Sequence, residues 1–198
     1  KESYPKVNGN GNSSVGLSSY WYTTNSLTEN SVIHLFDDWS DNFSTEVKIG
    51  FQQFSQLAGG AKDQPAIQVH TDSFNSPSVN LGEDQFRHYN EINTKRWTAF
   101  VAGTYYAGDH TIKGGLAFEQ DQIYNLFGRT EFGSYTFNSI DDFAAGAGNY
   151  DSYELYQPGG DRVIGDIAAK WTSRPSTPFL QDTWQVTDNL SVDRKSVV

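Results

Sequence analysis

Over residues 43–52 apolar and polar side chains alternate without a break. Phe43, Thr45, Val47, Ile49 and Phe51 fall on one side, and Ser44, Glu46, Lys48, Gly50 and Gln52 on the other. Successive side chains of a β-strand point to opposite faces, so period two predicts a strand and excludes a helix. The stretch is close to the roughly 9–11 residues that a tilted strand needs to cross a bilayer. Residues 110–119 repeat the pattern: Ile112, Gly114, Leu116 and Phe118 alternate with Thr111, Lys113, Gly115, Ala117 and Glu119. Residues 96–107 are less polarised, with Trp97, Ala99, Val101, Gly103 and Tyr105 set against Thr98, Phe100, Ala102, Thr104 and Tyr106. Weaker alternation also predicts strands over 15–27 and 31–40.

The connections fall into two lengths. Asp41-Asn42, Gly108-Asp109 and Asp188-Asn189 carry the residues that tight hairpin turns favour. Thr28-Glu29-Asn30 reads as a fourth short connection, placed at the opposite rim from Asp41-Asn42. Residues 57–87 and 127–177 are long connections rich in Gly, Asn, Asp, Ser and Pro. Within the second of them, Ser139-Ile140-Asp141-Asp142-Phe143 predicts a helical turn capped by Ser139. Short turns at one rim and long loops at the other are the pattern of outer-membrane barrels. No repeat of 20–50 residues and no linker between two domains is visible.

Composition sharpens this picture. Aromatic residues make up 15% of the 198 residues while hydrophobic residues make up only 36%. With a negative mean hydropathy, that balance suits a barrel whose lipid-facing and polar residues alternate. No run of about 20 apolar residues is present, which excludes a membrane-spanning helix and not a membrane barrel. The formal net charge of −10 argues against a nucleic-acid partner. Cysteine is absent, so disulfides and thiolate metal sites are excluded.

Little in the chain points to catalysis. His34, His70, His88 and His110 show no paired-ligand spacing. The acidic pairs Asp37-Asp38, Glu83-Asp84 and Asp141-Asp142 match no spaced calcium set, although a loop calcium site is the best surviving metal reading. No Gly-x-Ser-x-Gly nucleophile motif occurs. The expectation is no enzyme, no cofactor and no metal. Trp39, Trp97 and Trp184 are expected at the membrane interface, where an apolar ring with one N–H donor is best satisfied. Glu46, Lys48, Lys113 and Glu119 lie on faces that would point into a lumen. The loop aromatics Phe74, Tyr150, Tyr153 and Tyr156 are the candidate ligand contacts, with packing of loop on loop as their alternative role.

Phe179-Leu180-Gln181-Asp182-Thr183-Trp184-Gln185-Val186-Thr187-Asp188-Asn189-Leu190 resembles the barrel hairpin of TonB-dependent outer-membrane receptors. There an aromatic or Leu precedes Gln-Asp-x-Trp and a Thr-Asp/Pro-Asn-Leu turn. His110-Thr111-Ile112-Lys113-Gly114, followed by Gly133-Ser134-Tyr135-Thr136-Phe137 and Asp142-Phe143, is similar to a second pattern of that family. Trp39-Ser40-Asp41-Asn42-Phe43-Ser44-Thr45-Glu46 is similar to a hairpin of its Oar-like branch. The likeness spans roughly 31–192. It implies a barrel of 22 strands closed by a plug, energised by TonB, that imports a scarce ligand. Residues 1–198 are not expected to include the plug or the TonB-contacting segment of such receptors, and 193–198 departs from the family pattern.

The expected fold is therefore all-β, an antiparallel segment of a transmembrane β-barrel of about eight strands with long external loops. Residues 1–192 are expected to be part of a TonB-dependent receptor barrel and 193–198 a truncated or foreign tail. Expected partners are outer-membrane lipid, TonB and a small ligand or peptide, in the bacterial outer membrane. Two rivals stay open: a complete eight-stranded outer-membrane barrel, and a soluble carbohydrate-binding β-sandwich. The sandwich requires the Phe43/Val47/Ile49/Phe51 and Ile112/Leu116/Phe118 rows to be buried against a facing sheet.

Overall fold

The computed structural model describes residues 2–59, 63–146, 150–154 and 164–197. In chain order its strands are β1 (Glu2–Lys6), β2 (Ser14–Gly16), β3 (Tyr22–Ser40), β4 (Phe43–Gly59), β5 (Ala66–His70), β6 (Ser78–Gly82), β7 (Tyr89–Ala107) and β8 (His110–Gly128). They continue with β9 (Ser134–Phe137), β10 (Tyr150–Glu154), β11 (Ala169–Ser173), β12 (Ser176–Thr187) and β13 (Leu190–Val197). The one α-helix among the described residues is α1 (Ile140–Ala145). An eight-stranded sheet runs in the order β1-β3-β4-β7-β8-β12-β13, with β11 also on β8, and a five-stranded sheet runs β10-β9-β5-β6-β2.

The three Asp/Asn/Gly turns at 41–42, 108–109 and 188–189 close hairpins as their residues predict. Gly108 takes a positive φ of 60°, a conformation open to glycine at little cost. Thr28-Glu29-Asn30 is different: β3 passes straight through it. The stretch has neither Gly nor Pro to enforce a turn, and β4, a 17-residue neighbour, offers ladder partners along β3. Tertiary pairing overrides a weak local preference here. With that turn gone, every short connection between the long strands lies at one end of the sheet. Pairing also continues where the alternation of the last residues fades, with Asp182 opposite Arg194 and Leu180 opposite Ser196. β11 and β12 both run along β8. The break between them falls at Arg174-Pro175, where proline offers no N–H and its carbonyl accepts from Glu119 N at 3.0 Å.

The chain folds as two compact units, each assembled from separate stretches. One comprises Lys1–Leu27, Phe54–Asn93 and Tyr124–Lys170; the other comprises Thr28–Gln53, Thr94–Ile123 and Trp171–Val198. The second unit is a single antiparallel layer. Among its described residues only Gly50 and Ala102 are buried. One face carries the row Phe43, Ile49, Trp97, Ile112, Leu116, Leu180 and Trp184, all 37% exposed or more. Within this unit no second sheet covers that row, contrary to what the sandwich reading requires. Phe51 packs on Trp97 with ring centroids 4.5 Å apart, and Gly103 leaves room for the Phe43 ring. At Gly115 a Cβ would lie 2.3 Å from the Val101 carbonyl oxygen, so only glycine lets β8 approach this closely.

The first unit holds the buried residues that the second lacks. Its five-stranded sheet is mixed: β5 pairs antiparallel with β6 and parallel with β9, β2 lies parallel to β6, and β10 is antiparallel to β9. Ala58, Ala66, Val69 and Leu126 are buried there, together with His70, Ser78, Asn80, Glu83, Asp84, His88 and Thr130. The long connections thus contribute most of an ordered sheet that alternation does not reveal, because strands of three to five residues are too short to display a period. α1 forms where its capping residue predicts it, with Ser139 Oγ accepting from Asp142 N at 3.0 Å.

β6 ends at Gly82, whose φ of +78° and missing Cβ are both required. A Cβ would stand 1.9 Å from the Pro65 carbonyl oxygen. Gly82→Ala is expected to destabilise this unit by at least about 1 kcal/mol. Protease resistance of the 63–90 segment is the readout, and resistance equal to the parent would contradict that requirement.

Candidate functional site

The first unit holds a partly enclosed cavity of about 520 Å³ with polar and apolar walls. Its walls come from the start of β3 (Thr23, Asn25), the end of β4 (Leu57, Ala58, Gly59), the corner after β6 and the start of β7. Gly82 starts the corner and directs Glu83 N onto Pro65 O at 3.2 Å. Asp84 then organises a turn: its Oδ1 accepts from Phe86 N at 2.7 Å and its carbonyl from Arg87 N at 2.8 Å. Asn8 Nδ2 donates to the other carboxylate oxygen of Asp84. Tyr20 is also near, and burial with the Asp84 charge pushes its hydroxyl up to about 12, so it stays protonated. Asp84 thereby fixes the backbone that presents Arg87 and His88 to the cavity.

His88 is 6% exposed. Its Nδ1 accepts from Phe132 N at 3.2 Å, held there by a turn in which Gly133 N donates to Thr130 O at 2.9 Å. An accepting Nδ1 places the ring proton on Nε2 in the neutral imidazole. The Glu83 backbone lies close enough to favour the protonated ring, although Nε2 completes no hydrogen bond among the described residues. Burial holds the His88 pKa below its ordinary value, opposed in part by the Glu83 backbone and the Asp84 charge. Arg87 stacks its guanidinium 4.7 Å from the Tyr22 ring centroid. Its Nη1 donates to Phe86 O at 2.9 Å, and its buried Nε has no partner. Carboxylates of Asp63, Glu83 and Glu91 also line the cavity, with apolar surface from Leu57, Ala58, Tyr89 and Phe132.

The second unit carries a row of ion pairs on the face opposite the aromatic row. Glu46 bridges His34 Nε2 and Lys113 Nζ, both at 2.8 Å. Arg96 reaches Asp121 at 2.7 Å and Glu119 at 3.4 Å. Two of the residues expected to face a lumen, Glu46 and Lys113, are therefore direct partners, and Glu119 pairs with Arg96. Beside them Phe100 and Phe179 stack at 5.7 Å.

The expected interface tryptophans all lie on the aromatic face. Trp39 Nε1 donates to Thr45 Oγ1 at 2.9 Å, and Trp184 stacks on His110 at 5.6 Å with ring planes 6° apart. Both stand within a few residues of a tight turn. Trp97 lies near the middle of β7, because that strand runs 19 residues from Tyr89 and not only over 96–107. Phe74 is exposed and contacts His70 at 5.3 Å, away from the cavity lining. Tyr150 and Tyr153 belong to β10, which pairs with β9; Tyr156 lies outside the described residues. Sequence reasoning missed the Arg87–His88 pair, since a lone His in a loop carries no spacing signal. The one available hint was Gly82 followed by two acids.

A family model described as "Outer membrane beta barrel domain" matches residues 1–194. The chain belongs to that family. Its place is the bacterial outer membrane, and the single-layer sheet with alternating faces is barrel wall. No curated protein and no solved structure matches the chain.

Because folded His88 titrates below its ordinary value of 6.5, the unfolded chain binds its proton first as pH drops. The contribution of neutral His88 to stability is full above about pH 6.5 and is lost as pH falls through the depressed folded value. Amide exchange over residues 78–91, corrected for intrinsic rates, should show easier opening at about pH 5.5 than at about pH 7.5. His88→Asn should flatten that difference; equal opening in the parent chain at both pH values would exclude the effect.

Proposed function

We propose that the chain forms part of the wall of a TonB-dependent outer-membrane receptor, which takes up a scarce ligand and performs no covalent chemistry. The observation that carries this reading is the β12–β13 hairpin, in which Trp184 lies opposite Val192 and Thr187 opposite Leu190 across the Asp188-Asn189 turn. It holds the Gln181-Asp182-Thr183-Trp184 and Thr187-Asp188-Asn189-Leu190 residues of the receptor family's barrel hairpin. The Trp39–Glu46 hairpin supports its Oar-like branch.

In this reading the aromatic face meets lipid and the face bearing Glu46, Lys113 and Arg96 lines the lumen. Trp39 and Trp184 sit at the turn end. Trp97, ten residues before the last residue of β7, marks the other border at about one membrane-crossing length. The tight turns are periplasmic and the long connections external, where ligand arrives. TonB acts through a plug on the complete protein.

Sequencing the gene outward from both ends tests the reading. It predicts a plug-encoding segment upstream and further alternating strands downstream; an open reading frame confined to these 198 residues would overturn it. Leu116→Arg on the aromatic face is expected to cost about 2–4 kcal/mol in lipid vesicles, and Ala117→Arg on the opposite face much less. Urea unfolding of the full protein distinguishes them, and equal costs would argue against lipid contact at Leu116.

A further inference from the structure

We infer that the turn end of the aromatic face binds the headgroup of an ethanolamine phospholipid, with its ammonium at Asp182 and its phosphate at Arg194. The inference goes beyond ligand uptake: it rests on the aromatic row facing lipid and not on the receptor identity.

Residues directly opposite each other in an antiparallel pair share a face. Trp184 of β12 stands between His110 of β8 and Val192 of β13; two residues further from the turns, Asp182 stands between Ile112 and Arg194. Three polar side chains, His110, Asp182 and Arg194, therefore share the face of Leu116 and Leu180. Charges within hydrocarbon are expensive, whereas at headgroup depth water and polar lipid atoms satisfy them. Two observations put this group at that depth. Gln185 N donates to Asp109 O at 2.8 Å, which ties the end of β12 to the Gly108-Asp109 turn. Trp184 lies flat on His110 with ring planes 6° apart, and tryptophan favours the membrane border.

The group is organised to take both charges of a zwitterion. An ionised carboxylate only accepts, so His110 Nδ1 donates to Asp182, at 2.9 and 3.1 Å from its two oxygens. The neutral imidazole then offers Nε2 as an acceptor beside the carboxylate. The two side chains are 42% and 41% exposed, so an ammonium can reach both. Arg194 is the cross-strand neighbour of Asp182, about 5 Å away between Cβ atoms. Its guanidinium matches a phosphate with two parallel N–H groups. In an ethanolamine headgroup two carbons separate ammonium from phosphate, a span of the same order. A glycerol headgroup carries no ammonium, and a choline ammonium has no N–H to donate, so this acceptor pair discriminates among phospholipids.

The test is native mass spectrometry of the full protein from detergent micelles loaded equally with phosphatidylethanolamine, phosphatidylglycerol and phosphatidylcholine of the same acyl chains. Preferential retention of phosphatidylethanolamine is expected, and N-acetylation of its amine should lower retention by about tenfold. Asp182→Asn should reduce the preference to a similar degree, and Asp188→Asn in the turn should leave it unchanged. The acetylated lipid keeps the test valid should Asp182→Asn fail to fold. Equal retention of the three lipids, or of the free and acetylated amines, would overturn the proposal. Equal retention while Leu116→Arg still destabilises the protein in vesicles would overturn this site and leave the lipid-facing row standing.

Discussion

Strand-to-strand hydrogen bonding of the backbone is the constraint on which this structure depends. In the second unit almost nothing is buried, so no hydrophobic core supplies the usual driving force. In its place stands a ladder of N–H and C=O pairs along residues 28–40, 43–53, 94–107 and 110–123 of the long strands, arranged so that one face is apolar. Such a layer is marginal in water, where apolar rows need a covering surface. In lipid the same layer is favoured, because each backbone polar group is matched within the sheet and the aromatic row meets hydrocarbon. The ladder explains why β3 runs through Thr28-Glu29-Asn30: a turn there would break the pairing of β4 as well as its own.

The two units solve opposite problems. The second alternates apolar and polar side chains and places its charges in pairs, with Glu46 between His34 and Lys113 and Arg96 between Glu119 and Asp121. Those pairs are partly exposed, so their worth lies in keeping opposite charges matched along one face more than in raw stability. The first unit buries polar groups outright: His70, Asn80, Glu83, Asp84 and His88 are all under 9% exposed. Burial of this kind is tolerated where hydrogen bonds organise it, as Asp84 does for the turn that leads to Arg87 and His88.

Backbone geometry at one glycine connects the fold to the cavity. Gly82 turns β6 towards the Glu83-Asp84 corner because Pro65 leaves no room for a side chain. The corner sets the register of Arg87 and His88, and the 130–133 turn supplies the Phe132 N–H that selects the His88 tautomer. A chain of local decisions, each within hydrogen-bond distance, places the donors in a cavity whose other walls come from distant parts of the chain.

The alternating stretches 43–52, 96–107 and 110–119 were legible in the residues alone, though β4, β7 and β8 run on to 17–19 residues. So were the three Asn/Asp/Gly hairpin turns, the face to which each residue of 43–52 and 110–119 belongs, and the Ser139 cap. These depend on period two, turn chemistry and a residue three places away, all local in the chain. Other features arise only from tertiary pairing. The extension of β3 through a turn-like tripeptide depends on a neighbouring strand. The five-stranded sheet is built from segments too short to show a period, and two of its pairings are parallel and distant in sequence. The cavity joins residues from 23 to 132, so no motif announces it. Local pattern encodes a strand and its faces, whereas a binding site depends on which distant backbones come to lie side by side.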